Sequence, residues 1–153
     1  MPDKNKNTIT INAKKVNIYL MTTINTIKAA DGKIAYILEY KGNNREPVTL
    51  TKVQDIKKYT SNKANVEVLI QALERLKEPC VLAIYTDCGY LVSVLNGWLK
   101  QWESNGWVTA QHKQVANKEL MQRLSVLLNS HEYTIHSNIK HEYYDWLSCE
   151  LKK

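Results

Sequence analysis

The chain has 153 residues, 44% of them hydrophobic, and its 21 Lys and Arg against 15 Asp and Glu give a net charge of +6. This length predicts one domain, and the hydrophobic share is sufficient for a buried core. No apolar run approaches the roughly 18 residues of a membrane span, and the 3 cysteines are too scattered for a disulfide framework.

The amino-terminal segment, residues 1–15, is polar and rich in lysine, which predicts a flexible tail before a single domain over residues 16–153. It lacks the apolar segment of a secretory signal, so we expect a cytoplasmic protein without membrane attachment. Residues 1–63 carry 12 Lys and Arg against 5 Asp and Glu, a net charge of +7, whereas the remainder carries −1. A basic half suits a polyanion such as nucleic acid, although lysines that only keep the domain soluble would give the same pattern.

The first third of the domain is predicted to form an antiparallel meander. Three segments are rich in β-branched and apolar residues and indicate strands: residues 16–24, 34–40 and 48–53. Turns are predicted at residues 28–33, where Asp31-Gly32 is a hairpin signal, and at residues 41–47.

The rest of the domain is predicted to alternate between helices and strands. The first helix begins with Ser61 or Asn62 as its N-cap and ends before Glu78-Pro79. The apolar run 80–85 indicates a strand buried on both faces, and the helix before it implies a parallel crossover. The later elements are an interrupted helix (89–102), a polar loop (103–116), a helix (117–129), a strand (131–137) and a helix (142–151). The predicted fold is α/β, a mixed five-stranded sheet flanked by helices, with its first three strands antiparallel.

Three stretches in the middle of the chain carry a longer pattern: YTSNKANVEVLIQALERLKEPC, IYTDCGYL and GWLKQWESNGWVTAQHKQVANKELMQRL. They contain the strand end Tyr85-Thr86-Asp87 and the helix over residues 117–124, and the third stretch contains the tryptophans Trp98, Trp102 and Trp107. Together they resemble the central part of type 1 ribonuclease H, and the resemblance covers roughly residues 16–151, closely over residues 60–124 and weakly at both ends. The resemblance implies the RNase H-like fold and, in active members, cleavage of RNA in an RNA–DNA hybrid.

Active members of this family hold two Mg²⁺ ions with four carboxylates, since hard dications require charged oxygen ligands. The matching positions here are Met21 (or Thr22), Asn65, Asp87 and Cys149. Asp87 is the retained carboxylate. Asp145 lies one helical turn before Cys149 and is a further weak metal candidate. Glu67 lies about 200° around the helix from Asn65, so it faces away from the position of the missing ligand. The resemblance therefore implies an inactive homologue without a cofactor, with Mg²⁺ or Mn²⁺ relevant only to residual activity.

Asp87 also has a structural interpretation, which we favour over metal binding. It follows a predicted buried strand and precedes a predicted helix. A carboxylate at that position accepts hydrogen bonds from the first backbone N–H groups of the helix and interacts favourably with its dipole.

The nucleic-acid-binding residues that the resemblance implies are Thr60, Asn62, Lys63, Trp98, Lys100 and Lys113. Donors beside a helix N-terminus, such as Thr60, Asn62 and Lys63, suit a phosphate, although a helix cap and a solvated lysine explain them equally well. Trp98 matches a tryptophan that lines the DNA-strand channel in relatives.

The leading hypothesis is a catalytically inactive RNase H-like protein that binds RNA–DNA hybrid or another duplex. The alternatives are a protein–protein interaction module on the same scaffold, or a residual metal-dependent hybrid endoribonuclease.

Overall fold

The computed structural model describes residues 13–42, 46–137 and 141–153. Its strands are β1 (Lys14–Thr22), β2 (Ala30–Tyr40), β3 (Val48–Tyr59), β4 (Cys80–Tyr85) and β5 (Glu132–His136). Its helices are α1 (Ser61–Leu73), α2 (Gly89–Ser93), α3 (Leu99–Ser104), α4 (Lys118–Leu128) and α5 (Tyr144–Leu151), with a π-helical turn (Val94–Trp98) between α2 and α3. None of the helices in these described ranges is long and apolar enough to cross a membrane.

The five strands form one sheet in the order β3-β2-β1-β4-β5. β1 pairs antiparallel with β2 and β2 with β3, whereas β1 and β4, and β4 and β5, are parallel. Short connections allow the antiparallel pairs, and helical crossovers return the chain for the parallel ones. The predicted α/β fold with a mixed sheet is thereby confirmed.

The two faces of the sheet bury different cores because successive side chains of a strand point in opposite directions. Ile18 and Leu20 of β1 lie in the larger core, which also contains residues of α1 and α4. Tyr19 lies in a smaller core with Leu147 and Leu151 of α5. α5 contacts β1 and β2, so side chains of β4 on this face remain half-buried, and the predicted burial of β4 on both faces is wrong.

The first hairpin differs from the sequence prediction, because Asp31 and Gly32 lie inside β2 and the connection spans residues 23–29. Gly32 is needed for close packing rather than for a turn. A Cβ there would lie 2.6 Å from Thr23 Oγ1 and 2.7 Å from Ile24 Cγ1. The hairpin signal therefore marked a place where β2 passes close to the loop.

Other boundaries also shift. The N-cap of α1 is Thr60, not Ser61 or Asn62, and the helix ends at Leu73, before the predicted stop. β1 begins at Lys14, inside the predicted tail, and the rest of that tail, residues 1–12, lies outside the described residues. The predicted interruption of the helix over residues 89–102 is confirmed and lies at Gly97, which has non-helical dihedral angles within the π-helical turn.

Candidate functional site

The carboxyl ends of β1 and β4 lie at the same edge of the sheet because these strands are parallel. Tyr19 pairs with Tyr85, and Met21 and Asp87 each lie two residues further along their chains. We call this region the carboxyl edge, defined by Met21, Asp87 and the start of α1 at Ser61. The sequence-predicted metal positions in β1 and after β4 do meet here.

Asp87 has an exposed side chain and does not cap the helix that follows it. The N-cap of α2 is Cys88, and its backbone N–H donates to Thr86 Oγ1 at 3.1 Å. The predicted capping role of Asp87 is therefore wrong, because the chain needs one more residue before it turns into the helix. Asp87 thus has no capping role at the carboxyl edge.

Asn65 is buried in α1, and its side-chain amide forms a hydrogen bond within the same helix. Its Nδ2 donates to the backbone oxygen of Ser61 at 2.9 Å. Glu67, the nearest carboxylate on α1, accepts a hydrogen bond from the Tyr59 hydroxyl at 3.2 Å. α1 therefore contributes a neutral amide at the position where the family resemblance implies a metal-binding carboxylate.

Ser148 of α5 contacts Met21 of β1, one of the predicted metal positions. Ser148 Oγ donates to Met21 Sδ at 3.7 Å, whereas Cys149, the last predicted metal position, is exposed. Asp145, also exposed, lies three residues before Ser148 and so on a neighbouring part of the same helix surface.

The residues at the carboxyl edge do not fit a two-metal centre. Mg²⁺ prefers negatively charged oxygen ligands, and two adjacent dications need several of them. Met21 offers a thioether, Asn65 an amide that is hydrogen-bonded within α1, and Cys149 an exposed thiol, so Asp87 is the carboxylate among the four predicted positions. Within the described ranges, no three or more His, Cys, Asp and Glu side chains are grouped to hold a metal ion.

The start of α1 presents polar and cationic groups at this edge. Thr60 is the N-cap of α1, because its Oγ1 accepts a hydrogen bond from the backbone N–H of Lys63 at 3.2 Å. Asn62 is exposed, and Lys63 Nζ lies 4.5 Å from the centre of the Tyr59 ring. The first turn of α1 has no acidic residue, so nothing there opposes a bound anion.

The other predicted nucleic-acid residues lie further away. Trp98 is 43% exposed, and its ring centre lies 6.1 Å from that of Tyr90 and 5.9 Å from that of Trp102. Lys113 is exposed in a small hairpin. Lys100 lines a cavity of ≈ 400 Å³ with His131, next to the amino end of β5, so the structure does not bring it to the carboxyl edge.

Comparison with known proteins decides the family. The sequence profile described as RNase H matches residues 13–141. The chain belongs to the RNase H family. It is similar to the ribonuclease H of Chlorobium phaeobacteroides, with 45% identity over 78 residues, and to that of Francisella tularensis subsp. novicida, with 40% over 98 residues. These alignments cover 50% and 64% of this chain and 53% and 61% of those proteins, so the chain spans about half the length of the curated relatives it matches.

Solved RNase H structures share the fold. LC9-RNase H1, a type 1 RNase H with the type 2 active-site motif, has a TM-score of 0.72 and 17% identity, over 91% of this chain and 70% of that one. A foamy viral protease-reverse transcriptase in complex with RNA/DNA hybrid has a TM-score of 0.66 and 15% identity, over 91% of this chain and 19% of that one. At these identities the likeness shows the RNase H fold alone.

This RNase H-family chain also has a cluster of aromatic rings near the carboxyl edge that sequence reasoning missed. The rings of Tyr19 and Tyr85 stack with centres 4.9 Å apart, and His136 stacks on Tyr85 at the same distance. The His141 ring lies 4.6 Å from that of Tyr19. Burial lowers the pKa of His141, and the charge of Asp87 opposes this effect without reversing it. The cluster therefore favours a neutral His141.

A second missed group is Glu39, a fully buried carboxylate of β2. It accepts hydrogen bonds from Asn17 Nδ2 at 2.8 Å, from the Tyr19 hydroxyl at 3.3 Å, and from the Tyr143 hydroxyl. Burial opposes ionisation, but the hydrogen bonds from Tyr143, Asn17 and Glu142 and the charge of Lys41 together outweigh it, so the pKa of Glu39 lies below its ordinary value. Tyr143 immediately precedes α5, so Glu39 ties that helix to the sheet. An acidic residue within an apolar strand was the available sequence signal.

Proposed function

We propose that this RNase H-family protein binds RNA–DNA hybrid or another nucleic-acid duplex without cleaving it. One observation carries the proposal: of the four positions where hydrolysis would need carboxylates, Met21, Asn65, Asp87 and Cys149, Asp87 alone is acidic. Two dications about 4 Å apart repel each other, and one carboxylate does not offset that repulsion. The residues at the carboxyl edge therefore disfavour metal-dependent hydrolysis.

Binding is supported by features that do not depend on metal. Residues 1–63 have a net charge of +7, and the capped start of α1 carries the exposed Asn62 and the half-buried Lys63. Lysines and helix N-terminal amides are typical phosphate contacts. A structural relative, the foamy viral protease-reverse transcriptase, was solved with RNA/DNA hybrid and with dsDNA. These features support contact with the phosphate backbone.

The test measures binding and cleavage together. Labelled RNA–DNA hybrid, double-stranded RNA, double-stranded DNA and single strands are titrated with the full chain at several salt concentrations, in EDTA, Mg²⁺ and Mn²⁺. We expect a duplex affinity that falls steeply with salt, because phosphate contacts release counterions, and that is unchanged by EDTA. Affinity that stays flat across salt, or absence of binding, would refute the proposed binding.

Cleavage would refute the inactive part of the proposal. If Mn²⁺ supports hybrid cleavage, and Asp87→Asn abolishes it while Glu119→Gln on α4 does not, the chain is a residual endoribonuclease. Glu119 is exposed on another element, so it controls for general loss of charge. No cleavage in either metal is the expected result.

A protein-interaction module is the second candidate, and β3 favours it. This edge strand pairs with β2 on one side, and its Val48 side chain is 67% exposed, with Leu50 and Val53 also exposed. Exposed apolar residues on an edge strand are typical of surfaces that pair with another chain. A stable complex with a protein, together with absence of affinity for every nucleic acid tested, would replace the first proposal with this one.

A further inference from the structure

The strand β3 lies at one edge of the described sheet, and its two halves differ. In the carboxyl half, Lys57 and Lys58 are exposed, and Lys58 has a φ of 61°, in the left-handed region, where the pairing with β2 is irregular. Exposed lysines and irregular backbone keep an edge strand from pairing with another chain. From Val48 to Ile56 the pairing with β2 is unbroken, so this amino part of β3 is regular enough to accept a further strand.

The amino part of β3 also exposes apolar side chains on one face of the sheet. Val48 is 67% exposed and Leu50 is 40% exposed. Because side chains alternate along a strand, both point to the same face as Ile56, which is buried in the larger core beside α1. Near the end of α1 this face is open, and Val48, Leu50 and Leu76 line a cavity of ≈ 390 Å³ there. The larger core therefore ends in an apolar floor that the described residues leave partly uncovered.

Charged side chains flank this floor in a self-complementary arrangement. Glu46, two residues before β3, and Lys52, within β3, are both exposed. When a second copy of β3 is laid antiparallel to the first with Thr49 opposite Thr49, Val48 of each copy faces Leu50 of the other, and Glu46 faces Lys52. Directly opposite side chains of antiparallel strands have Cβ atoms about 4.5–5.5 Å apart, and apolar and opposite-charge pairs there are favourable. Two-fold symmetry repeats each of these contacts.

We propose that two copies of this chain pair through the amino parts of β3, antiparallel and centred on Thr49, so that their sheets join into one. The apolar pairs of Val48 with Leu50 lie next to the axis, on the face of the open cavities, and the pairs of Glu46 with Lys52 flank them. A second copy is the occupant that this strand favours, because the same short stretch supplies both members of every pair. The contact is short, so the dimer is weak and forms at micromolar concentrations.

This inference goes beyond the proposed duplex binding and does not depend on it. β1 and β3 both pair antiparallel with β2, so they run in the same direction, and β3 ends near the carboxyl edge. At about 3.3 Å per residue, Thr49 lies roughly 30 Å along β3 from the start of α1. The dimer therefore leaves the carboxyl edge of both copies open to a duplex.

The first experiment measures association of the full chain, freed of nucleic acid, by sedimentation velocity. The weight-average mass of the wild type should rise from monomer towards dimer between about 5 and 500 µM, whereas Leu50→Lys should stay monomeric because it places cations beside the axis. Val126→Lys on α4 is the matched control, since Val126 is 70% exposed and the change is the same, and it should associate like the wild type. A wild type that stays monomeric up to about 500 µM, or an equal loss in both variants, would overturn the inference.

The second experiment changes the charges and leaves the apolar side chains in place. Glu46→Lys and Lys52→Glu should each weaken association about fivefold at low salt, and the two changes together should restore it. Because the single variants change the net charge in opposite directions, a loss common to both does not come from general repulsion. Thermal unfolding checks that each variant folds. Failure of the combined variant to recover affinity would overturn the pairing of Glu46 with Lys52.

The third experiment tests the register by disulfide formation. Cys149 is exposed, so Cys149→Ser is the background, and Thr49→Cys or Thr51→Cys is added to it. Both threonines are exposed on the same strand. Oxidised glutathione should link Thr49→Cys chains into a covalent dimer, because this position faces its own copy, and should leave Thr51→Cys chains unlinked, because that position faces Pro47 of the second copy. Absence of linkage in Thr49→Cys, or equal linkage in both variants, would overturn the register.

Other occupants of β3 give different outcomes. If copies associate only when duplex is added, and Leu50→Lys does not affect this, nucleic acid bridges them and the inference fails. A monomeric chain that binds a defined partner protein through Leu50 would assign β3 to that partner and would also overturn the dimer. If the dimer forms as expected while no duplex binds, the inference stands and the proposed function fails.

Discussion

Glu39 joins β2 to the segment before α5, and its replacement tests whether a buried carboxylate stabilises this chain. In Glu39→Ala, donors on Asn17 and Tyr143 lose their acceptor, and the Tyr19 hydroxyl keeps only its 3.4 Å bond to Glu142. A hydrogen bond to a charged group contributes about 1.5–3 kcal/mol, and the 3.3 Å bond from Tyr19 counts at the low end of that range. Water replaces part of the loss at the half-buried Asn17 and Tyr143. The expected decrease in the free energy of unfolding is about 3–5 kcal/mol.

Urea denaturation at pH 7, followed by circular dichroism, measures this decrease. Glu39→Gln keeps an oxygen acceptor and loses the charge, so we expect a smaller decrease of about 1–2 kcal/mol. Glu119→Ala, on the exposed surface of α4, is the control and should change the free energy of unfolding by less than about 0.5 kcal/mol. A decrease below about 1 kcal/mol for Glu39→Ala would show that the hydrogen bonds to Glu39 add little to the free energy of unfolding.

The pH dependence of stability provides an independent check on Glu39. Its pKa in the folded protein lies below the ordinary value of 4.5, so the folded state favours the ionised form. This contribution is fully present above the unfolded pKa and is lost as pH falls through the folded pKa. The wild type should therefore lose stability relative to Glu39→Gln as pH falls below about 4.5. Parallel pH profiles for the two proteins would contradict the assigned pKa direction.

Three further predictions concern the carboxyl edge. Met21 and Ser148 are in contact, so Met21→Asp with Ser148→Asp adds two neighbouring carboxylates to the edge that holds Asp87, and Mn²⁺ should raise the melting temperature of the double variant and leave that of the wild type unchanged. An equal response of both proteins would refute the interpretation that this edge lacks only carboxylates. Asp87→Asn should lower the pKa of His141 further, because the charge of Asp87 opposes the effect of burial, and an NMR titration with an unchanged or raised midpoint would contradict this. Thr60→Ala removes the cap of α1 and should cost about 1 kcal/mol of stability, whereas Thr60→Ser should cost a few tenths, as measured by urea denaturation.

Much of the fold followed from local pattern. The strand over residues 80–85 was predicted with the bounds that the structure gives, because a short apolar run before a helix leaves few alternatives. The turn at Asp31-Gly32 was misplaced, because glycine signals both a turn and a close approach. Only the surroundings of Gly32 distinguish the two, since a Cβ at this residue would meet Thr23 at 2.6 Å and Ile24 at 2.7 Å.

The candidate site was predictable where it depended on residue identity and unpredictable where it depended on register. Met21 and Asn65 are not acidic, so the shortage of metal-binding carboxylates can be read from the sequence alone. Which residues of α5 contact β1 depends on how the helix packs, and the structure places Ser148 against Met21 while Cys149 is exposed. Likewise, the position of Lys100 beside the amino end of β5 follows from the path of α3, which no local pattern encodes.

The sequence by itself determined the membership in the RNase H family, the sheet and the shortage of carboxylates, because these depend on residue types and their spacing. The tertiary structure decided which side chains meet. It brought Tyr19, Tyr85, His136 and His141 into one ring cluster, completed the hydrogen bonds around Glu39, and joined the loop between β1 and β2 to the start of α1. These contacts join residues far apart in the chain, and their geometry is fixed by strand register and helix packing rather than by local preference.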